Sequence, residues 1–289
     1  MRATRVVTAA GALALAAVLS ASAAGLGPVQ TLPGGPFEAS GAVEAPGGGV
    51  LFVDDGRPDA VMWMRLDGDT AGAPVAVPLG ASVADPEGIT TDGTHVYVVG
   101  SQSRGKPGGA GLVRFRFDGA RRQAEGAESV ADLGSLLSPH VPGLAASGRK
   151  RSPLNIEGLA WDAKHERLLL GLRGPLEGGR ALLVPVRMRD AKGAFTAANL
   201  EVGTPIRLDL DGSGVRGIEA DGNAFWILAG GVGNAGTSRL VRWDGTGSAV
   251  TTAATFPDGL KPEGVVRTTV DGKARTLVLC DTSRYMLMD

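Results

Sequence analysis

Apolar residues in this chain come in short runs. VLFVD, VYVVG, LLLGL, FWILAG and TLVLCD each hold four to six residues, too few for a helix. They are apolar at successive positions, as expected of strands covered on both faces. Just before each run lies a turn rich in Asp and Gly, and DG pairs at 92–93, 221–222 and 271–272 are hairpin signals. After each run comes a third segment that ends in charge: AVMWMRLDG, GLVRFRFDG, RALLVPVRM and SRLVRWDG. A weaker fourth follows: APVAVPLG, ESVADLG, TPIRLDL and SAVTTAATF.

Aligning these units on the residue that opens them exposes a repeat. SGAVEAPGGGVLFVDDG opens at Ser40, PEGITTDGTHVYVVGSQS at Pro86 and IEGLAWDAKHERLLLGLRG at Ile156. IEADGNAFWILAGG opens at Ile218 and PEGVVRTTVDGKARTLVLCDTS at Pro262. Four strands per unit, in units of about 45–60 residues, predict an all-β chain folded as a single β-propeller. Five four-stranded blades account for the repeats, and the span between Glu87 and Glu157 is long enough for a sixth. An excursion with a short helix and a basic loop is expected near 133–152. The last unit ends after its third strand, RYMLMD, so the N-terminal segment GPVQTLPG is expected to supply the fourth and close the ring.

Composition agrees with this pattern. Forty-five glycines among 289 residues supply the many turns. The formal net charge of −1 carries no basic bias of the kind a nucleic-acid surface needs. Residues 1 to about 24 read as a cleavable signal peptide: Arg2 and Arg5, an apolar stretch from Val6 to Leu19, then Ala21-Ser22-Ala23. The propeller then occupies 25–289, outside the cytoplasm (periplasmic or secreted), with no membrane span after cleavage, and is expected to be monomeric. The lone Cys280 sits in an apolar strand and reads as a small hydrophobe. Three scattered histidines, His95, His140 and His165, leave a His-based zinc site or a Ser-His-Asp triad little to draw on.

The chemistry lies in the repeat itself. The first strand of each blade lines a propeller's channel, so Glu87, Glu157, Glu219 and Glu263 are expected to enter the ring at equivalent heights. Converging carboxylates need a cation, a basic group or backbone donors to coexist. Two readings follow. Each Glu could accept N–H bonds from the next blade and lock the register. Alternatively the glutamates could hold a metal, and calcium suits an all-oxygen set. Asn155, Asp54, Asp55 and Asp281 are candidates to complete such a set. Arg173 and Arg216 compete with that metal, either by pairing with a channel carboxylate or by holding an anionic ligand. The Asp-rich DLDGSGVRGIE (209–219) fails the EF-hand spacing and reads as a turn.

The elements EASGAV, DPEGIT, VYVVGSQS, LNIEGLAWD, LLLGLRGPL, RGIEAD and WILAGG, spread over the mature chain, resemble an uncharacterised bacterial family, domain of unknown function 3616. The resemblance implies a β-propeller in exported bacterial proteins. More distantly, the Glu-Gly pair that opens each blade is similar to that of calcium-dependent gluconolactonase-like and esterase-like phytase propellers. In the lactonases a Glu at such a place is a metal ligand. The resulting expectation is a scaffold that binds a small molecule or an envelope protein, with a carboxylate-lined channel and a calcium ion as its cofactor. The alternative is a calcium-dependent hydrolase of an ester, lactone or phosphate.

Overall fold

A computed structural model describes residues 25–103, 110–142, 144, 154–233 and 236–289. The expected leader at 1–24 and the basic loop at 148–151 lie outside them. Five antiparallel sheets follow one another along the chain. The first blade holds Ala39–Glu44, Val50–Asp54, Ala60–Met64 and Val75–Pro78. The second holds Pro86–Thr91, Val96–Gly100, Leu112–Asp118 and Gln123–Val130. The third holds Asn155–Asp162, Arg167–Glu177 and Arg180–Met188, with an outer edge split into Leu200–Val202 and Ile206–Leu208. Both pieces pair with the third strand, and Gly203, Thr204 and Pro205 separate them. The fourth holds Gly214–Asp221, Ala224–Gly230, Arg239–Trp243 and Thr251–Thr255.

The fifth blade, Pro262–Val270, Lys273–Cys280 and Arg284–Met288, takes its fourth strand from Gln30–Thr31. Gln30 pairs with Tyr285 and Thr31 with Arg284. The Tyr285 hydroxyl donates to Gln30 Oε1 (3.0 Å) and accepts from the Ala71 amide (2.8 Å). It thereby ties the closing strand to a small hairpin, Leu66–Asp67 with Thr70–Ala71, that extends the first blade. The long span before Glu157 holds no sixth blade among the described residues. It holds a short helix, Leu133–Leu137, whose N-terminus is capped by Asp132 accepting from the Ser135 amide (2.9 Å). Among the described residues no helix is long and apolar enough to cross a membrane.

The two-sided apolar runs have a direct cause. Each blade packs a neighbour on either face, so alternate residues of one strand enter different cores. Val96 and Val98 pack with Val43, Leu51 and Val61 of the first blade. Tyr97 and Val99, between them in sequence, pack with Leu159, Leu168 and Leu170 of the third. Five such apolar cores separate the five blades. Each large side chain buried there contributes about 1.5–3 kcal/mol.

The repeated glycine has an equally direct cause. In every blade the first strand carries a bulge just ahead of Gly41, Gly88, Gly158, Gly217 or Gly264. There the first strands of adjacent blades pass almost in contact. A Cβ on Gly88 would lie 2.8 Å from Leu159 Cβ and 2.9 Å from its backbone nitrogen, and one on Gly217 would lie 2.5 Å from the Glu263 carbonyl oxygen. Neither partner can move without shifting a whole blade. Gly88→Ala should therefore destabilise the fold by about 2 kcal/mol or more, the scale of core overpacking. Denaturant melts of the variant beside the parent protein measure the loss, and an unchanged midpoint would contradict the close-approach argument.

Candidate functional site

The bulge also decides what faces the channel. The residue ahead of each glycine turns toward the mouth where the first strands begin. In chain order these residues are Ser40, Glu87, Glu157, Arg216 and Glu263. Arg216, not Glu219, is the fourth member of the ring. Two more tiers complete the mouth. Two residues before the ring position stand Glu38, Asp85, Asn155, Gly214 and Lys261. Just past the second-strand partner stand Asp55, Ser101, Arg173, Gly230 and Asp281. All of these but Ser40, Ser101, Gly214 and Gly230 line, with Ser103, a cavity of about 280 Å³ in which seven carboxylates meet three basic side chains.

Arg216 is buried and pairs with Glu263, to whose other carboxylate oxygen the Ser40 hydroxyl donates at 3.4 Å. The fourth blade makes room for it: a Cβ on Gly230 would lie 2.6 Å from Arg216 Cδ. Arg173 crosses from the third blade, donating from Nη1 to Glu157 Oε1 (2.7 Å), from Nε to the Gly231 carbonyl (3.1 Å) and from Nη2 to the Gly233 carbonyl (2.7 Å). Asn155 donates to the same Glu157 oxygen at 2.9 Å. The other oxygen, Oε2, is buried and accepts no hydrogen bond among the described residues. Lys261 pairs with Asp281 at 3.2 Å on the rim.

Among the described residues Glu87 has no comparable ion pair. It is 9% exposed, and the charges that bear on it most, Asp55, Glu157, Glu263 and Asp85, are negative. Burial first, and then these neighbours, hold its carboxyl well above the usual range. Glu263 is also raised, chiefly by burial, with Arg216 opposing. Asp85 sits in the left-handed region (φ 58°), and its Oδ2 accepts from the hydroxyls of Ser101 and, at 3.3 Å, Ser103. Asp55, Asp85 and Glu87 each offer a carboxylate oxygen, all within 4.8 Å of one another. Oxygen donors in that spacing match a hard cation such as calcium.

The expected residues thus divide. Glu87, Glu157, Glu263, Asn155, Asp281, Arg173 and Arg216 do share one mouth. Asp54 does not. Its carboxylate accepts from the amides of Glu38 (3.2 Å) and Gly56 (3.1 Å) and pairs with Arg57 at 3.3 Å. Asp211 of the Asp-rich stretch pairs with Arg239 on the surface (2.7 Å). Cys280 is fully buried, which pushes its thiol up to about 12. Asp85, Glu38, Ser101 and Ser103 went unrecognised as mouth residues. Their signal was positional, since Asp85 stands beside the PEG motif in DPEGIT and Ser101 follows the second strand.

Glu219 belongs to the other end of the channel. It lines a second cavity of about 720 Å³ with Glu44, Thr90, Trp161, Asp221 and Arg267, among the turns that join first and second strands. Its carboxyl is buried and raised well above the usual range. Burial is the main cause, Glu44 and Asp221 add to it, and the Ala220 amide opposes.

Fold and mouth together define a five-bladed β-propeller with an acidic channel. The chain belongs to the family described as protein of unknown function (DUF3616), whose model matches residues 131–283. No curated protein matches it. Glutaminyl cyclase of Myxococcus xanthus is similar in fold, with a TM-score of 0.52 and 12% identity over 92% of this chain and 95% of that one. A PQQ-bound aldose sugar dehydrogenase from Streptomyces coelicolor has a TM-score of 0.47 and 16% identity over 91% and 98%. A Trichoderma reesei carbohydrate-active enzyme of family AA12 has 0.48 and 11% over 91% and 95%. At these identities the likeness is one of fold.

The Glu219 carboxyl carries a pH signature. Its folded-state affinity for the proton exceeds that of the unfolded chain, so the native state keeps a proton the unfolded state loses above about pH 4.5. Its contribution to stability is complete below that value and declines as pH rises toward the raised folded value. Glu219→Gln should raise the denaturant midpoint at pH 8, with the gain shrinking toward pH 5. Urea melts at the two pH values measure this, and a gain that does not vary with pH would argue against a raised carboxyl.

Proposed function

We propose that the protein is an exported ligand-binding propeller whose acidic mouth holds a divalent cation, calcium by its donor set, between Asp55, Asp85 and Glu87. One observation carries this reading. Glu87 is nine-tenths buried and bordered by Asp55, Asp85, Glu157 and Glu263, while Arg173, Arg216 and Lys261 pair with other carboxylates. A bound cation would supply the missing counter-charge. Export rests on the signal-peptide pattern of residues 1 to about 24.

Charge also constrains the ligand above the cation. Arg173, Arg216 and Lys261 each hold a carboxylate of this chain. Among the described residues seven carboxylates line the mouth against three basic side chains, and one divalent ion offsets only part of that excess. The mouth therefore suits a neutral or cationic ligand better than a phosphate. A small molecule with hydroxyl or carbonyl oxygens, or an exposed loop of an envelope protein, would fit.

A specific observation favours a hydrolytic second reading. Among the described residues nothing donates to Glu157 Oε2, buried at this mouth, which leaves it free to act as base toward a water admitted with a substrate. A calcium-polarised ester or lactone would be its substrate class.

Metal analysis of the purified protein should find one cation per chain. Chelation should lower the melting temperature by about 5 °C or more where calcium stood about 100-fold above its Kd. Glu87→Gln should abolish that shift while raising the melting point of the metal-free protein. A protein without metal, indifferent to chelator and calcium, would sink the cation reading. Turnover of neutral esters or lactones that vanishes in Glu157→Gln, with metal content unchanged, would select the hydrolase.

A further inference from the structure

The second cavity has a different character from the first. At about 720 Å³ it falls within the size range of small-molecule sites. Its walls mix apolar groups (Val43, Ala45, Pro46, Ala163) with a few polar ones. Two of its groups lack partners suited to them. Glu219 is 7% exposed, lines the cavity and is offered only the amide of Ala220. Trp161 is half-buried, stacks parallel to Tyr97 with ring centroids 6.3 Å apart, and lines the same cavity. The indoles of Trp63, Trp226 and Trp243 all donate: to the Gly48 carbonyl (3.2 Å), to Asp221 (3.0 Å) and to the Thr246 carbonyl (3.0 Å). Among the described residues the Trp161 indole N–H has no such acceptor.

The charged groups facing this space are Glu44, Glu219, Asp221 and Arg267. Glu44 accepts from Thr268 (3.2 Å), Asp221 from Trp226, and Arg267 donates to Thr276 (2.7 Å). Glu44 and Asp221 outweigh the one guanidinium and leave the cavity net negative, and Glu219 adds to that charge when it ionises. The charges bearing on Glu219 are negative alone.

We propose that this cavity is a second binding site, separate from the metal mouth, for a small organic cation of the ammonium or guanidinium class. Its charge is met by Glu219 and its apolar part lies against Trp161. A cationic group restores the counter-charge that the buried carboxylate lacks. An indole face adds attraction for a cation or for an apolar body. Phosphates and carboxylates are repelled by the same three acids.

Benzylamine is a suitable probe, and benzyl alcohol is its neutral counterpart of nearly equal shape. The readout is the indole N–H resonance of Trp161 in the full chain, assigned by its loss in Trp161→Phe. Saturable perturbation by benzylamine, with binding about tenfold weaker or worse for benzyl alcohol, is the expected result. Glu219→Gln should remove the preference for the amine while leaving the other three indole resonances in place. Equal perturbation by both probes, no perturbation by benzylamine, or a preference that persists in Glu219→Gln would overturn the proposal. The two-probe comparison on the unmutated protein decides the matter even where a variant fails to fold. It requires no metal, so its failure is separable from that of the calcium reading.

Discussion

Everything in this molecule depends on how closely five first strands can approach around one axis. Closing the ring with only five blades leaves no room for a Cβ at Gly41, Gly88, Gly217 or Gly264, where the next blade's backbone stands, or at Gly158, where Val215 and Ile218 side chains do. A bulge accompanies each glycine, and the bulge turns the preceding side chain toward the channel mouth. Packing and chemistry are thus set by the same dipeptide. The glycine lets the blades close, and the residue before it is delivered to the site whatever its charge.

That delivery creates an electrostatic difficulty which the chain resolves unevenly. Carboxylates at this ring position cannot all stay ionised in a narrow mouth without counter-charges. Glu263 is answered by Arg216, which is itself a ring member and occupies space freed by Gly230. Glu157 is answered by Arg173, anchored to the carbonyls of Gly231 and Gly233. Both solutions draw on the third and fourth blades. On the side of the first and second blades Asp55, Asp85 and Glu87 gather, each with a carboxylate oxygen within 4.8 Å of the others. The fivefold scaffold therefore supports a site that is uneven across the channel, with two Arg–Glu pairs on one side and a cluster of three carboxylates on the other.

The two ends of the channel also differ in kind. At the upper mouth nearly every lining group is charged or amide-bearing, which suits an ion and oxygen-bearing ligands. At the lower one an indole face and aliphatic walls accompany a few carboxylates, which suits an organic molecule. The difference follows from strand position. Ring residues ahead of the bulge escape the blade-to-blade cores and can be polar. Those two or three positions further on border the cores, where Val43, Ala160 and Val266 stand. Glu219 occupies this second kind of position, which is why burial dominates its behaviour.

Much of the architecture was readable along the chain. The runs VYVVG and LLLGL declared strands covered on both faces, and the truncated last repeat with GPVQTLPG at the other end declared the closing strand, because strand pattern and turn chemistry are local properties. The mouth was readable as far as register was. Glu87, Glu157 and Glu263 precede a glycine and fall where the repeat puts them. RGIEAD offers two alignments, and matching its glutamate shifts the blade by three residues. Only the bulge opposite Ala229 and Leu228 shows that Gly217 is the close-approach glycine, so that Arg216 joins the ring and Glu219 faces the far end. The partners of each carboxylate were hidden for the same reason. Arg173 and Gly233, or Asp55 and Glu87, lie in different blades, and their meeting depends on ring closure, a long-range constraint that no local pattern records. The sequence by itself determined the strands, the four-stranded repeat and the presence of an acidic channel, and the structure chose five blades over six. Tertiary closure alone decided which acids meet an arginine and which acids stand together.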